Sequence, residues 1–270
     1  MDSRPIGVFD SGLGGLTAVR QLLSRLPRER IVYFGDTGRV PYGTRGDAVI
    51  EKYAGEDCRF LLRRDVKLII AACGTVSSVA PHVLAGLPVP AIGVVEPAAK
   101  AAAASTRNGR IGVIGTAATV RSRSFAKAIE QIDKAAQVFS QACPLFVPLV
   151  ENGWIDPADE VTHLTAERYL TPLKEQGVDT LIMGCTHFPL LKPQLAAVLG
   201  DSVTLIDAGE EAARACEAIL RERDALGAPD ADGGCEFFIT DRPQNFSAVA
   251  EMFLGRTVRQ DVEVVDLDTL

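Results

Sequence analysis

The six cysteines, Cys58, Cys73, Cys143, Cys185, Cys216 and Cys235, include no CxxC pair, so spacing gives no support to a zinc site. Six are also too few to point to a disulfide framework in a chain of 270 residues. No stretch gathers Lys and Arg into a basic run, and the formal net charge is -7. Nucleic acid is therefore not an expected partner. No apolar run approaches the length that spans a bilayer, and the opening Met1-Asp2-Ser3-Arg4 lacks a signal-peptide core. These features predict no membrane association and a cytoplasmic location, where thiols stay reduced.

The rest of the composition is that of a globular protein, with 47% hydrophobic and 23% charged residues. The length suits two domains of ordinary size and a large core. Short apolar runs alternate with longer helical patterns. Ile6 to Phe9, Ile31 to Phe34 and Leu68 to Ala72 read as strands. Gly14 to Leu26, Asp47 to Arg63 and a segment from Val76 read as helices. The alternation predicts an α/β fold, with mainly parallel sheets flanked by helices. The strands are continuously apolar, as strands buried on both faces are.

The pattern then restarts. Ile111-Gly112-Val113-Ile114-Gly115-Thr116 resembles Ile6-Gly7-Val8-Phe9-Asp10-Ser11, and a Cys-containing strand end follows each. Cys73 lies 63 residues after Asp10 (73 − 10), and Cys185 lies 70 after Gly115 (185 − 115). The reading is an internal repeat of two pseudo-symmetric α/β units. The expected division is 1–96 with 208–270 as one discontinuous domain and 97–207 as the other. Ala91 to Val95 and Val203 to Ile206 are expected strands at the crossings. An alanine-rich helix covers Lys100 to Ser105, and another helix runs from Ala208 to about Arg223. Phe237 to Thr240, a helix from Asn245 to Phe253 and a strand near Val262 to Val265 return to the first unit.

Two strings carry the chemistry: Ala71-Ala72-Cys73-Gly74-Thr75 and Met183-Gly184-Cys185-Thr186-His187. Each is the end of an apolar strand, where ligands bind in open parallel sheets. A thiol titrates close enough to neutrality to give or take a proton. A following helix N-terminus is expected to lower its pKa. Two thiols at two strand ends suggest acid/base groups on either side of one substrate carbon. Asp10-Ser11-Gly12-Leu13-Gly14-Gly15 is a Gly-rich turn that lets backbone approach a ligand closely. Gly35-Asp36-Thr37 ends a strand, and Pro41-Tyr42-Gly43 offers N–H groups and a hydroxyl to a carboxylate. His187 is placed to exchange protons with Cys185, and Glu151 to reach the same half-site. His82 and His163 read as surface or structural residues. The other four cysteines read as core.

Asp10-Ser11-Gly12, Gly35-Asp36-Thr37, Pro41-Tyr42-Gly43, Ala72-Cys73-Gly74-Thr75 and Gly184-Cys185-Thr186-His187 together resemble the ordered motifs of the glutamate racemases. These belong to the cofactor-independent aspartate/glutamate racemase superfamily. The resemblance runs from about residue 5 to 210. It implies an active site between two α/β domains, no pyridoxal phosphate and no metal. It also implies a likeness of roles: Cys73 deprotonates D-glutamate with support from Asp10, and Cys185 deprotonates L-glutamate with support from His187 and Glu151. Ser11, Asp36, Pro41, Tyr42, Gly43, Gly74, Thr75 and Thr186, with Asp10 and His187, are the implied substrate-binding set. A homodimer is the implied assembly, and supply of D-glutamate for peptidoglycan the implied purpose. One position departs, since the family usually has asparagine where this chain has Gly74. The change predicts weaker glutamate binding and room for a different or larger substrate, with Gly74→Asn lowering KM. A racemase for aspartate or another acidic amino acid, a non-catalytic two-lobed ligand-binding protein and a thiol redox protein are the competing readings.

Overall fold

A computed structural model describes residues 1–242, 244, 246–257 and 262–270. Its strands are β1 (Ile6–Asp10), β2 (Arg30–Gly35), β3 (Leu68–Ala71), β4 (Ala91–Gly93), β5 (Arg110–Gly115), β6 (Gln137–Ala142), β7 (Thr180–Met183), β8 (Thr204–Asp207), β9 (Gly234–Ile239) and β10 (Val262–Val264). They form two sheets, in the orders β10-β9-β2-β1-β3-β4 and β6-β5-β7-β8. Every pairing is parallel. Parallel neighbours need crossover connections, and helices supply them.

The expected repeat has a topological counterpart. Strands β2-β1-β3-β4 and β6-β5-β7-β8 run in the same spatial order, and β9 and β10 extend the first sheet beyond β2. Register then fixes the functional positions. Phe9 pairs with Ala71 in the first sheet, and Ile114 with Met183 in the second. Each thiol lies two residues past the second member of its pair. Asp10-Ser11 therefore flanks Cys73, and Gly115-Thr116 flanks Cys185. In both sheets this is where the chain order reverses between adjacent strands, the crevice in which open α/β sheets bind ligands.

β1, β3 and β7 are buried along their whole length. The expected helix from Gly14 begins at Leu16, because the glycines before it stay in a turn. Pro81 divides the helical segment after Cys73 into Gly74–Val79 and Pro81–Ala85. The strand expected to reach Val95 stops at Gly93, where the chain turns into the helix Val95–Ser105. That helix buries Ala98, Ala99 and Ala102 completely. It packs against the helices Ser124–Ile132 and Ala208–Glu222 and against β7 and β8. Small side chains allow this close approach, which explains the alanine enrichment. Asn245, the expected start of the penultimate element, lies outside the described residues; the helix is described over Phe246–Leu254. No helix among the described residues is long and apolar enough to cross a membrane.

At the opposite end of the first sheet, Lys67 and Glu29 form a buried pair, with Nζ 2.6 Å from Oε2. Lys67 Nζ also donates to the carbonyls of Asp2 and Ala225, and Glu29 Oε1 accepts from the N–H of Gly227. The pair ties the start of β3 to the N-terminal segment and to the loop that follows the helix Ala208–Glu222. Removing one partner leaves the other charge buried and unpaired. Lys67→Met is expected to cost about 3–5 kcal/mol in urea unfolding; a loss under about 1 kcal/mol would mean that Glu29 finds water instead.

Candidate active site

Cys73 is 5% exposed and stands at the N-cap of the helix Gly74–Val79. Its Sγ lies 3.5 Å from Ser11 Oγ. Burial, reinforced by the neighbouring Asp10 charge, pushes its thiol up to about 12. The expected lowering by a helix N-terminus is corrected here. The Val76 N–H does favour the thiolate, but six residues of helix do not offset removal from water. Asp10 is itself 1% exposed. Burial raises its carboxyl, against the opposing pull of the His187 charge and the N–H groups of Gly15, Gly12 and Ser11. Oδ2 accepts from the Gly12 N–H at 3.1 Å, while Oδ1 is buried with no partner among the described residues.

The second thiol has a different neighbourhood. Cys185 leads not into an α-helix but into Thr186-His187 and a short 3-10 turn, Phe188–Leu191, before the helix Lys192–Leu199. His187 Nδ1 lies 3.8 Å from Cys185 Sγ and 3.4 Å from Thr186 Oγ1. On the far side of the ring, Nε2 lies 3.0 Å from Glu151 Oε1. Glu151 ends the helix Phe146–Glu151 and is about half exposed. Burial disfavours charge on His187, but Cys185 and Glu151 outweigh it and raise the imidazole to about 10. At neutral pH this half-site therefore contains an imidazolium held between a sulfur and a carboxylate.

The two half-sites touch. A Cβ on Gly74 would lie 2.0 Å from the Gly184 carbonyl oxygen, so only glycine fits at this backbone contact. A Cβ on Gly14 would lie 2.3 Å from Thr186 Oγ1 and 2.6 Å from His187 Nδ1. The Gly-rich turn is thus pressed against the Cys185 half-site. Thr17, which sequence reasoning missed, has its hydroxyl 2.9 Å from the Gly14 carbonyl oxygen and 3.0 Å from that of Thr186, so its one proton is shared between the two. The void lined by Gly74, Gly184, Cys185, Thr186 and Asp207 is about 10 Å³, the space of a single water at most. A cavity of about 540 Å³ on the other side of the helix after Cys73 contains none of the expected site residues.

Thr75 Oγ1 lies 3.0 Å from Thr116 Oγ1, joining the two units again. Thr116 was also missed, although the repeat aligns it with Ser11. Gly43 stands against it, since a Cβ there would meet Thr116 Cβ at 2.8 Å. Tyr42 departs from expectation: its hydroxyl is not free for a carboxylate but is buried between Asp36 and Asp57. Asp36 is likewise fully buried, bonded by Arg39 and Thr240. Pro41 and Gly43 bracket Tyr42 in the same turn. Among the described residues, no group of three His, Cys, Asp or Glu side chains is arranged to hold a metal ion.

The room expected beside Gly74 is also corrected, because the Gly184 carbonyl fills it. Gly74→Ala is expected to force the two strand ends apart and to lower unfolding free energy by about 1–3 kcal/mol, the usual range for overpacking. An unchanged urea midpoint would show that the two units part without cost.

Comparison with known proteins bears on the family and the fold. The sequence model described as Asp/Glu/Hydantoin racemase matches residues 17–216. A glutamate racemase of Geobacter metallireducens is 48% identical over 256 residues, covering 94% of each chain. One from Neisseria meningitidis is 46% identical over 266 residues, covering 98% of this chain and 97% of the relative. Among solved structures, a glutamate racemase from Francisella tularensis in complex with D-glutamate superposes with a TM-score of 0.92 at 38% identity, covering all of both chains. The chain belongs to the Asp/Glu/hydantoin racemase family, among its glutamate racemases, and is an amino-acid racemase.

Proposed function

We propose that the chain interconverts L- and D-glutamate by moving a proton between two thiols and the α-carbon. One observation carries the reading: equivalent strands of two equivalent units each end in a cysteine, and the two ends meet. Inversion needs a base on one face of the α-carbon and an acid on the other. One thiolate takes the α-proton, leaving its electron pair on carbon, and the opposite thiol returns a proton to the other face. The two sulfurs finish with exchanged protonation states. The resemblance assigns Cys185 to L-glutamate and Cys73 to D-glutamate.

The surroundings give each thiol its own support. His187, held by Glu151, can hand a proton to the Cys185 sulfur or take one back. The Cys73 side has no such cation. There, the substrate's ammonium would supply the missing positive charge, with the unpartnered Asp10 Oδ1 as its seat. Ser11, Thr75, Thr186 and the backbone at Tyr42 and Gly43 would hold the substrate's polar groups. Because the strand ends touch, the units must part to admit substrate and close again, which excludes water from the proton transfers.

We also propose that the chain has two domains, 1–96 with 208–270 and 97–207, a division supported by the two separate sheets. The protein acts in the cytoplasm as a homodimer, and its D-glutamate enters peptidoglycan. The six unpaired cysteines suit a reducing compartment.

The direct test is incubation of the reduced protein with L-glutamate in deuterium oxide, without added cofactor. Circular dichroism should decay as NMR shows deuterium entering the α-position. Cys73→Ser or Cys185→Ser should each slow this at least about 100-fold, the lower range for a lost acid–base group. Exchange that survives either substitution would refute the two-thiol mechanism, and exchange with aspartate alone would reassign the substrate. A second test uses pH. Glu151 is one of the groups that raise His187, so Glu151→Gln should move the alkaline limb of the kcat/KM profile to lower pH. An unmoved limb would remove the imidazolium from the mechanism.

A further inference from the structure

The turn Pro41-Tyr42-Gly43 is held from behind by a buried cluster that the reaction as proposed does not use. Tyr42 Oη contacts Asp36 Oδ2 and lies 3.2 Å from Asp57 Oδ2. All three side chains are almost completely buried. A hydroxyl has one proton and can donate it to only one of two carboxyl oxygens. The other contact is a hydrogen bond only if that carboxyl brings a proton of its own.

The remaining partners decide which carboxyl it is. Asp36 accepts from Arg39 Nε at 2.6 Å and from Thr240 Oγ1 at 2.8 Å as well as from Tyr42, the environment of an ionised carboxylate. Asp57 has a more distant hold on Arg39, whose Nη2 is 3.3 Å from Oδ1. Arg39 must also serve Glu56, so one guanidinium faces three carboxyls. Its plane lies over the Tyr53 ring, 4.0 Å from the centroid, which limits its freedom to turn toward any one of them. The other cations nearby, Lys52 and Arg59, reach only Glu56. Cys58, the next residue in the helix, is a buried thiol and offers no charge to offset. Burial first, then the Asp36 charge, pushes the Asp57 carboxyl well above the ordinary range.

We propose that Asp57 is a positioning residue that stays protonated and donates to Tyr42 Oη, so that an Asp57–Tyr42–Asp36 chain clamps the 41–43 turn against Thr116. The order of donation is Asp57 O–H to Tyr42, then Tyr42 O–H to the Asp36 carboxylate. Loss of the Asp57 proton sets a second carboxylate against Tyr42 Oη and loosens the turn. The inference rests on the reading of that turn as the seat of the substrate's carboxylate. It predicts an effect on KM more than on kcat.

For the wild-type protein, KM for glutamate should rise at alkaline pH as Asp57 ionises. In Asp57→Asn an amide N–H replaces the acid proton, and KM should become independent of pH over that range. Tyr42→Phe should raise KM about 10-fold at pH values where Asp57 is protonated, and by less at alkaline pH where the wild-type turn is itself loosened, with kcat changed less than about 3-fold, as loss of one buried hydrogen bond implies. An alkaline rise in KM that persists in Asp57→Asn, or a KM unmoved in Tyr42→Phe, would overturn the clamp. Thermal unfolding gives a readout that does not depend on the substrate. A carboxyl with a folded-state pKa above its unfolded value contributes stability that is lost as pH rises from the unfolded toward the folded value. The melting temperature of Asp57→Asn should therefore gain on wild type between pH 5 and pH 8, on the order of several degrees. A constant difference would show that Asp57 is already ionised and would sink the proposal, even if glutamate proved not to be the substrate. A rising difference in a protein inactive on glutamate would leave the clamp standing and fault only the functional reading.

Discussion

Where the backbone of Gly74 meets the carbonyl of Gly184, two sheets that share no strand come into direct contact. Much else follows from that contact. It needs glycine at 74, because a single Cβ would overlap the oxygen. It brings together the ends of β3 and β7, which hold the same place in the two strand orders. The Gly14 backbone against Thr186 and His187, the Thr17 bond to the Thr186 carbonyl and the Thr75–Thr116 pair surround it. These are polar and backbone contacts rather than a continuous apolar seam, suited to an interface that opens and closes. The alanine-packed helix Val95–Ser105 forms the more permanent apolar join behind them.

The topological symmetry does not extend to charge. Cys185 faces a protonated imidazole backed by a carboxylate, whereas Cys73 faces a buried acid and a hydroxyl. Among the described residues, a cation therefore stands beside Cys185 and none beside Cys73. In the proposed reaction the substrate's own ammonium compensates on the other, so Cys73 would become an effective base only with substrate in place. A thiol raised to about 12 by burial and the Asp10 charge is consistent with that division. It also protects a buried sulfur from unwanted chemistry, because the thiolate is the reactive form.

Most of the architecture was legible because its signals are local. Continuous apolar runs marked the buried parallel strands, and the likeness of Ile111–Thr116 to Ile6–Ser11 pointed to the repeated topology. Asp10, Cys73, Cys185 and His187 drew attention because chemistry-bearing residues stood at strand ends, and Glu151 because it follows the apolar run Phe146–Val150. What was misread depended on neighbours distant in sequence. Tyr42 looked like a hydroxyl for the substrate; the fold instead buries it between Asp36 and Asp57, the latter 15 residues away in a helix. The thiol of Cys73 looked activated by its helix, but the depth of its burial in the fold, with the Asp10 charge, reverses the sign. Gly74 looked like empty space, and only the fold puts a carbonyl there. Thr17 lies in an ordinary helix with no motif to single it out, whereas Thr116 could have been found from its alignment with Ser11 in the repeat.

The central claim is that the two sulfurs address opposite faces of one carbon. A crystal structure of this protein with D-glutamate bound tests it most directly. The account predicts Cys73 Sγ and Cys185 Sγ on opposite sides of the α-carbon, each about 3.5 Å from it, as a near-attack geometry requires. Both sulfurs on one face, or one turned away from the α-carbon, would contradict it.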